Sequence, residues 1–176
     1  MALFGSNPLF DMLKKDHQTV KDLFEQFEHA EDGRTKQRIM HEAIQELEVH
    51  ARLEESLIYP AIREEIDDED VMDEALEEHH VAHVLLNELK RMRSINGRYE
   101  AKFKVLGESI KHHIKEEEGS MFPKAEKLEL DWKELAEKAL TRKEGLIARK
   151  GNSRTQGKGK RSGKQTTKSR HLRKAA

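Results

Sequence analysis

The sequence predicts an all-α fold: a bundle of helices with one additional C-terminal helix and a basic tail. Two observations predict it. The 176 residues are 38% charged and 35% hydrophobic, with only three prolines and ten glycines. That mixture, rich in Glu, Lys, Leu and Ala, favours helix over sheet. The second observation is an internal duplication. His50-Ala-Arg-Leu-Glu54-Glu55-Ser-Leu-Ile-Tyr59-Pro60 and His113-Ile-Lys-Glu-Glu117-Glu118-Gly-Ser-Met-Phe122-Pro123 both read His-x-x-x-Glu-Glu-x-x-apolar-aromatic-Pro. Each follows, 33 or 34 residues later, another histidine in matching context: His17 opens His-x-x-Val-x-x-Leu-Phe-x-x-Phe, and His79 opens His-x-x-Ala-x-x-Leu-Leu-x-x-Leu. A repeated helix pair that turns His and Glu to one side is how a bundle holds a two-metal centre.

Asn7-Pro8 reads as a cap followed by proline in the first turn, opening a first helix to about Ala30. Asp32-Gly33 supplies a turn, and a second helix spans about Thr35 to Glu65. The acidic run Asp67–Asp70 suits the start of a third helix, which continues to about Ile95 and is stopped by Asn96-Gly97. The fourth covers about Tyr99 to Lys127. Asp131-Trp132-Lys133-Glu134 fits a capping box opening a fifth helix that ends near Arg149. Pro60 and Pro123, late in the second and fourth helices, each remove a backbone donor and predict a kink or break.

Charge divides the chain. Residues 149–176 hold 11 Lys or Arg and no acid, leaving 22 basic against 34 acidic residues in 1–148. From Gly151 onward Gly, Ser, Thr and Lys dominate, too little apolar surface to offset the entropy of ordering. The expected organisation is a bundle over residues 1–128, a helix over 129–149 and a disordered basic tail over 150–176. Cysteine is absent, which excludes disulfides, thiolate metal sites and thiol catalysis. No stretch approaches the roughly 18 apolar residues of a membrane span, and the N-terminus lacks a secretory pattern. A cytoplasmic protein without membrane contact is the expectation.

The histidines occupy unusual positions. Leu13, His17, Val20, Phe24 and Phe27 share one helical stripe; so do Ile44, Leu47, His50, Glu54 and Leu57. The third stripe holds Met72, Leu76, His79, His83 and Leu86, and the fourth Ile110, His113, Glu117 and Met121. All seven ionisable residues therefore lie on the apolar seams that a bundle turns inward. An unpaired buried carboxylate costs several kcal/mol, and a buried imidazole also needs partners. Two cations resolve the conflict, so His17, His50, Glu54, His79, His83, His113 and Glu117 are the expected metal ligands. Glu118 is the rival of Glu117: it falls about 140° from His113 on an ideal helix, against about 40° for Glu117. A distortion near Pro123 would bring it in. His29, His41, His80, His112 and His171 fall off the seams and are expected on the surface.

With these residues in place the chain resembles the hemerythrin-like, or HHE cation-binding, family over about residues 8–128. That family's pattern is His, His-x-x-x-Glu, His-x-x-x-His, then His followed four or five residues later by Glu or Asp. It maps onto His17, His50 and Glu54, His79 and His83, and His113 and Glu117. The resemblance implies an up-down-up-down four-helix bundle with a non-haem di-iron centre and carboxylate bridges.

Ligands of nitrogen and oxygen without sulfur suit iron or manganese, and an imidazole-rich set leans toward iron. Aligning His17 with His79 sets Lys21 opposite His83, so one half supplies a ligand the other lacks. An open position is then expected near His17 and His50. The leading expectation is two iron ions binding dioxygen or a related small oxidant, as a carrier or sensor. A di-iron oxidase, a peroxide- or nitric oxide-consuming enzyme, and iron storage are the alternatives. The tail suits a nucleic acid or another polyanion, bound through phosphate charge and without aromatic stacking.

Overall fold

A computed structural model describes residues 7–92 and 96–158 of the chain. Helix α1 (Pro8–His29) opens as its sequence requires: the Asn7 side chain accepts the Leu9 N–H at 3.0 Å, and Pro8 sits where no donor is needed. Asp32 accepts the Thr35 N–H at 2.8 Å and so caps α2 (Gly33–Leu53). Glu69 and Asp70 form the first turn of α3 (Glu69–Arg91). Asn96-Gly97, expected to stop the third helix, instead starts the fourth. Asn96 accepts the Tyr99 N–H at 3.0 Å and caps α4 (Gly97–Glu116), while α3 ends at Arg91. The expected end at Ile95 lies outside the described residues.

Helix α5 (Trp132–Lys158) is capped by Asp131, which accepts the Glu134 N–H at 2.9 Å. It passes the expected end at Arg149, so residues 150–158 are helical rather than part of a disordered tail. Adding a turn to an existing helix needs no new nucleus, and no proline intervenes. The rest of the tail, 159–176, lies outside the described residues.

The two late prolines have a shared consequence. After α2 and α4 the helical path widens into one π-helical turn, Glu54–Ile58 and Glu117–Met121, then resumes as Tyr59–Arg63 and Phe122–Ala125. The Tyr59 N–H bonds back to the Glu54 carbonyl, and the Phe122 N–H to the Glu117 carbonyl. A proline lacks a donor and crowds the preceding turn, and a widened turn just before it accommodates both defects. The expected kink is therefore a π turn, at the same place in both repeats.

Helices α1–α4 form a four-helix bundle. Helix α1 packs on α2 and α4, α3 packs on α4, and α5 lies against α1 and α2. No helix among the described residues is long and apolar enough to cross a membrane. The interior is divided along its length. One apolar cluster joins Val20, Phe24 and Phe27 to Ile44, Leu47, Leu86, Phe103 and Ile110. The other joins Phe10 and Leu13 to Leu53, Tyr59, Met72, Met121 and Phe122, and α5 closes it with Leu135 and Ala139. Every bundle helix passes from one cluster to the other, and at the crossing point it carries His or Glu. Close approach of α1 and α4 beside this layer depends on Gly107, where a Cβ would come within 3.0 Å of the Phe24 ring.

Candidate metal centre

Six of the seven sequence-predicted ligands meet in that layer. His17, His50, Glu54, His79, His113 and Glu117 are each at most 7% exposed. Their donor atoms form two groups, each within 4.8 Å: His17, His50, Glu54 and Glu117, and then Glu54, His79 and His113. Within each half two imidazoles face one another, with Nε2 to Nε2 distances of 3.1 Å for His17–His50 and 3.1 Å for His79–His113. The carboxylates span the halves. Glu54 places Oε1 3.0 Å from His50 Nε2 and Oε2 3.4 Å from His79 Nε2. Glu117 Oε2 lies 3.2 Å from His17 Nε2 and 3.4 Å from His113 Nε2.

The outward nitrogen of every one of these imidazoles faces a carboxylate. His17 Nδ1 is 2.8 Å from Glu118 Oε1, and His79 Nδ1 is 3.0 Å from Glu55 Oε1. His113 Nδ1 is 2.7 Å from Glu78 Oε2, and His50 Nδ1 is 3.6 Å from Asp16 Oδ2. The arrangement obeys the repeat. Asp16 and Glu78 precede the equivalent histidines His17 and His79, and each serves its own repeat; Glu55 and Glu118 each cross to the other. At the hydrogen-bond distances found for His17, His79 and His113, such carboxylates fix which ring nitrogen carries the proton and turn a basic Nε2 inward. Lys143 of α5 joins the set by donating to Asp16 Oδ1.

The halves differ at two positions. Tyr59 donates its hydroxyl to Glu117 Oε1 at 2.7 Å, whereas the equivalent Phe122 stacks parallel to the His17 ring with centroids 6.0 Å apart. The second difference concerns an expected ligand. The structure does not bring His83 into the donor layer: its side chain is 40% exposed, and Nε2 lies 2.7 Å from Glu55 Oε1. Lys21, its counterpart, lies 3.6 Å from Glu118 Oε1. Both positions thus serve the second glutamate of the opposite pair. The two donor groups thus hold four residues and three, and the smaller is the one beside His83. His29, His41, His80 and His112 are exposed as expected, and His171 is outside the described residues.

The layer holds its charge tightly. Burial opposes protonation of His50, but the Glu54 carboxylate, helped by Asp16, outweighs it and raises the imidazole from 6.5 to about 10. His79 is likewise disfavoured by burial and raised by Glu54 and Glu55 to about 9. Burial would raise Glu54, yet His50 and His79 hold it well below its ordinary range. Burial and the Glu117 charge push Tyr59 well above 10, so it stays a neutral donor.

These residues fit a metal pair. Both Glu54 oxygens and Glu117 Oε2 are buried without a hydrogen-bond partner among the described residues, despite the nearby nitrogens. Unpartnered buried carboxylate oxygens are costly, and a cation held between them would satisfy them. Bonds of about 2.1 Å to imidazole place neighbouring donors of an octahedral ion about 3.0 Å apart, close to the nitrogen spacing found in each half. Sequence reasoning missed Asp16, Glu55, Glu78 and Tyr59. The available signal was the duplicated Glu-Glu pair, whose second member had to face something in both copies.

An all-helical bundle around a duplicated His and Glu layer defines a class of cation-binding helical proteins. Residues 9–125 match the hemerythrin HHE cation-binding domain, and the chain belongs to that family. The fold is similar to the crystal structure of a hemerythrin HHE cation-binding domain-containing protein from Mycobacterium kansasii. The TM-score is 0.69 and the identity 25%, over 86% of this chain and 92% of that one. The chain is also 25% identical over 115 residues to a protein named DNA nickase from Nostoc sp.. That match covers 64% of this chain and 32% of the relative, so the chain spans about a third of that protein's length.

Proposed function

We propose that the chain is a non-haem di-iron protein that binds dioxygen or a related small oxidant, as a carrier or sensor. The observation that carries this reading is the space beside the donor layer. A cavity of about 20 Å³ adjoins His17, His50, His79 and His113, and its other walls include Val20, Leu47, Leu86, Ile110 and Ile114. One water-sized molecule needs about 10–15 Å³ of such space, so the cavity suits a molecule of a few atoms and excludes an organic substrate. Iron held by the six donors would supply reversible electron transfer to such a molecule.

The protein's own part is division of labour. His17, His50, His79 and His113 present Nε2, and Glu54 and Glu117 reach both halves. Asp16, Glu55, Glu78 and Glu118 hold the rings, Tyr59 steers Glu117, and the apolar walls keep the cavity dry. The test is metal analysis of the purified protein with anaerobic and oxygenated absorption spectra. Two irons per chain and a spectrum that reverses on removing oxygen support the reading. Sustained turnover of peroxide or nitric oxide would replace it with the enzymatic alternative, and many irons per chain with storage.

A polyanion partner is the reading favoured by the basic C-terminal segment, and the likeness to a protein named DNA nickase makes DNA the first polyanion to test. Phosphate contacts release counterions, so retention on DNA should fall steeply with salt. Removing residues 159–176 should abolish retention at low salt; unchanged retention would dispose of this reading.

A further inference from the structure

The donor layer has two unlike faces. The small cavity beside the imidazoles is walled by the Val20–Phe103 cluster and is almost wholly apolar. On the opposite side, toward Met121 and Ala75, a second cavity of about 180 Å³ opens between the start of α3 and the π turn Glu117–Met121. Its lining includes Asp68, Asp70, Glu74, Glu78, Glu116 and Glu117, against a single cation, Lys124.

Exposure decreases along this set. Asp70 and Glu74 are exposed at the mouth, Glu78 and Glu116 are half-buried, and Glu117 is 1% exposed at the floor. Asp68 is neutralised at the rim by Lys124 at 2.7 Å, and Glu78 is engaged by His113. Asp70, Glu74 and Glu116 make no ion pair among the described residues; Asp70 also suits the first turn of α3, whereas Glu74 and Glu116 have no such role. Glu117 supplies the observation that this is more than an acidic surface. The residue lines the cavity floor, and its buried, unpartnered Oε2 faces the donor layer, 3.2 Å from His17 Nε2 and 3.4 Å from His113 Nε2, so one side chain joins the two.

We propose that this cavity is the uptake route for the divalent cation, with Asp70, Glu74 and Glu116 relaying it to Glu117. The inference rests on the reading of the donor layer as a metal centre. A cleft of one charge sign raises the local cation concentration and speeds capture about 10- to 1,000-fold, and salt suppresses the effect. The first cavity has a single carboxylate in its lining, Asp16, already engaged by Lys143, so it attracts a cation less and suits a neutral molecule; the two reactants then approach from opposite faces.

The test is anaerobic ferrous uptake by metal-free full-length protein, timed by trapping unbound Fe(II) with a chromogenic chelator, at low and high salt. The variant Asp70→Asn/Glu74→Gln/Glu116→Gln changes no donor and no residue that holds one. It should lower the initial rate at least tenfold at low salt and flatten its salt dependence, with the final iron content unchanged. A control with the same loss of charge elsewhere, Glu25→Gln/Glu28→Gln/Glu108→Gln, should keep the wild-type rate. An unchanged rate in the first variant, or an equal loss in the control, overturns the route while leaving the centre intact. A wild-type protein that takes up no iron at equilibrium overturns both.

Discussion

The Tyr59 hydroxyl donates to Glu117 Oε1 at 2.7 Å, joining the aromatic residue of one repeat to the carboxylate of the other. This bond occupies one oxygen of Glu117 and leaves Oε2 facing His17 and His113. Tyr59→Phe removes one hydroxyl and keeps the ring in its cluster. Iron content should stay the same at saturation, while affinity falls about 10- to 100-fold, the usual cost of losing a partner of a metal-binding side chain. Competition against a calibrated chelator measures it; equal affinity would mean that Glu117 needs no such tether.

His83 and His79 lie one helical turn apart and should behave differently. His79→Ala removes an inward nitrogen, strands Glu54 and should lower the iron content of the protein. The metal-free form should also lose about 3–5 kcal/mol, as expected when one partner of a buried ion pair is deleted. His83→Ala takes away only a contact to Glu55, so the iron content should be kept and the affinity only weakened. Loss of an iron from His83→Ala would instead make it a direct ligand, as its spacing suggested.

Protonation links the metal-free protein to pH. His50 and His79 titrate at about 10 and about 9 in the fold, above the ordinary 6.5, so folding favours their charged forms. Their stabilising contribution is complete below pH 6.5 and is lost as pH rises through 9 and 10. Urea midpoints of the metal-free protein should therefore fall across that range. Cation binding must expel these protons, so the loaded protein should lose this dependence and bind metal more weakly in acid. Identical midpoints at about pH 6 and about pH 10.5 without metal would contradict the charged state.

Gly107 tests the packing of α1 against α4. A Cβ there meets Phe24 ring carbons at 3.0–3.2 Å, and that ring is itself packed against Phe103 with centroids 4.9 Å apart. Gly107→Val should destabilise the protein by about 1–3 kcal/mol through overpacking. A denaturation midpoint equal to wild type would mean that Phe24 yields freely.

Much of this centre was legible because the chain states it twice. Seam spacing placed His17, His50, His79 and His113, and internal symmetry paired Glu54 with Glu117. The partners of the outward nitrogens were illegible for two reasons. In a chain with 34 acidic residues, Asp16 and Glu78 look like ordinary solvated carboxylates. Glu55 and Glu118 sit about 140° from the preceding histidines on an ideal helix, and only the widened turns bring them to His79 and His17. His83 is on the expected seam but meets Glu55 rather than the other donors, a contact that register alone does not specify. The helix starts at Asn7 and Asp131 were readable from side-chain chemistry, whereas Asn96 was misread because the same residue can end one helix or begin the next.

Both π turns add a residue to an otherwise regular helical repeat, and that makes chain length itself a determinant here. Excising a single solvent-facing position, Ser56 or Gly119, would let the local backbone relax to ordinary α geometry, with the succeeding turn close to its present direction but Glu55 or Glu118 returned to about 140° from the preceding histidine. Glu55 or Glu118 would then turn away from the histidine it faces, His79 or His17. Small indels in these two stretches should therefore be tolerated far less well than substitutions at the same sites.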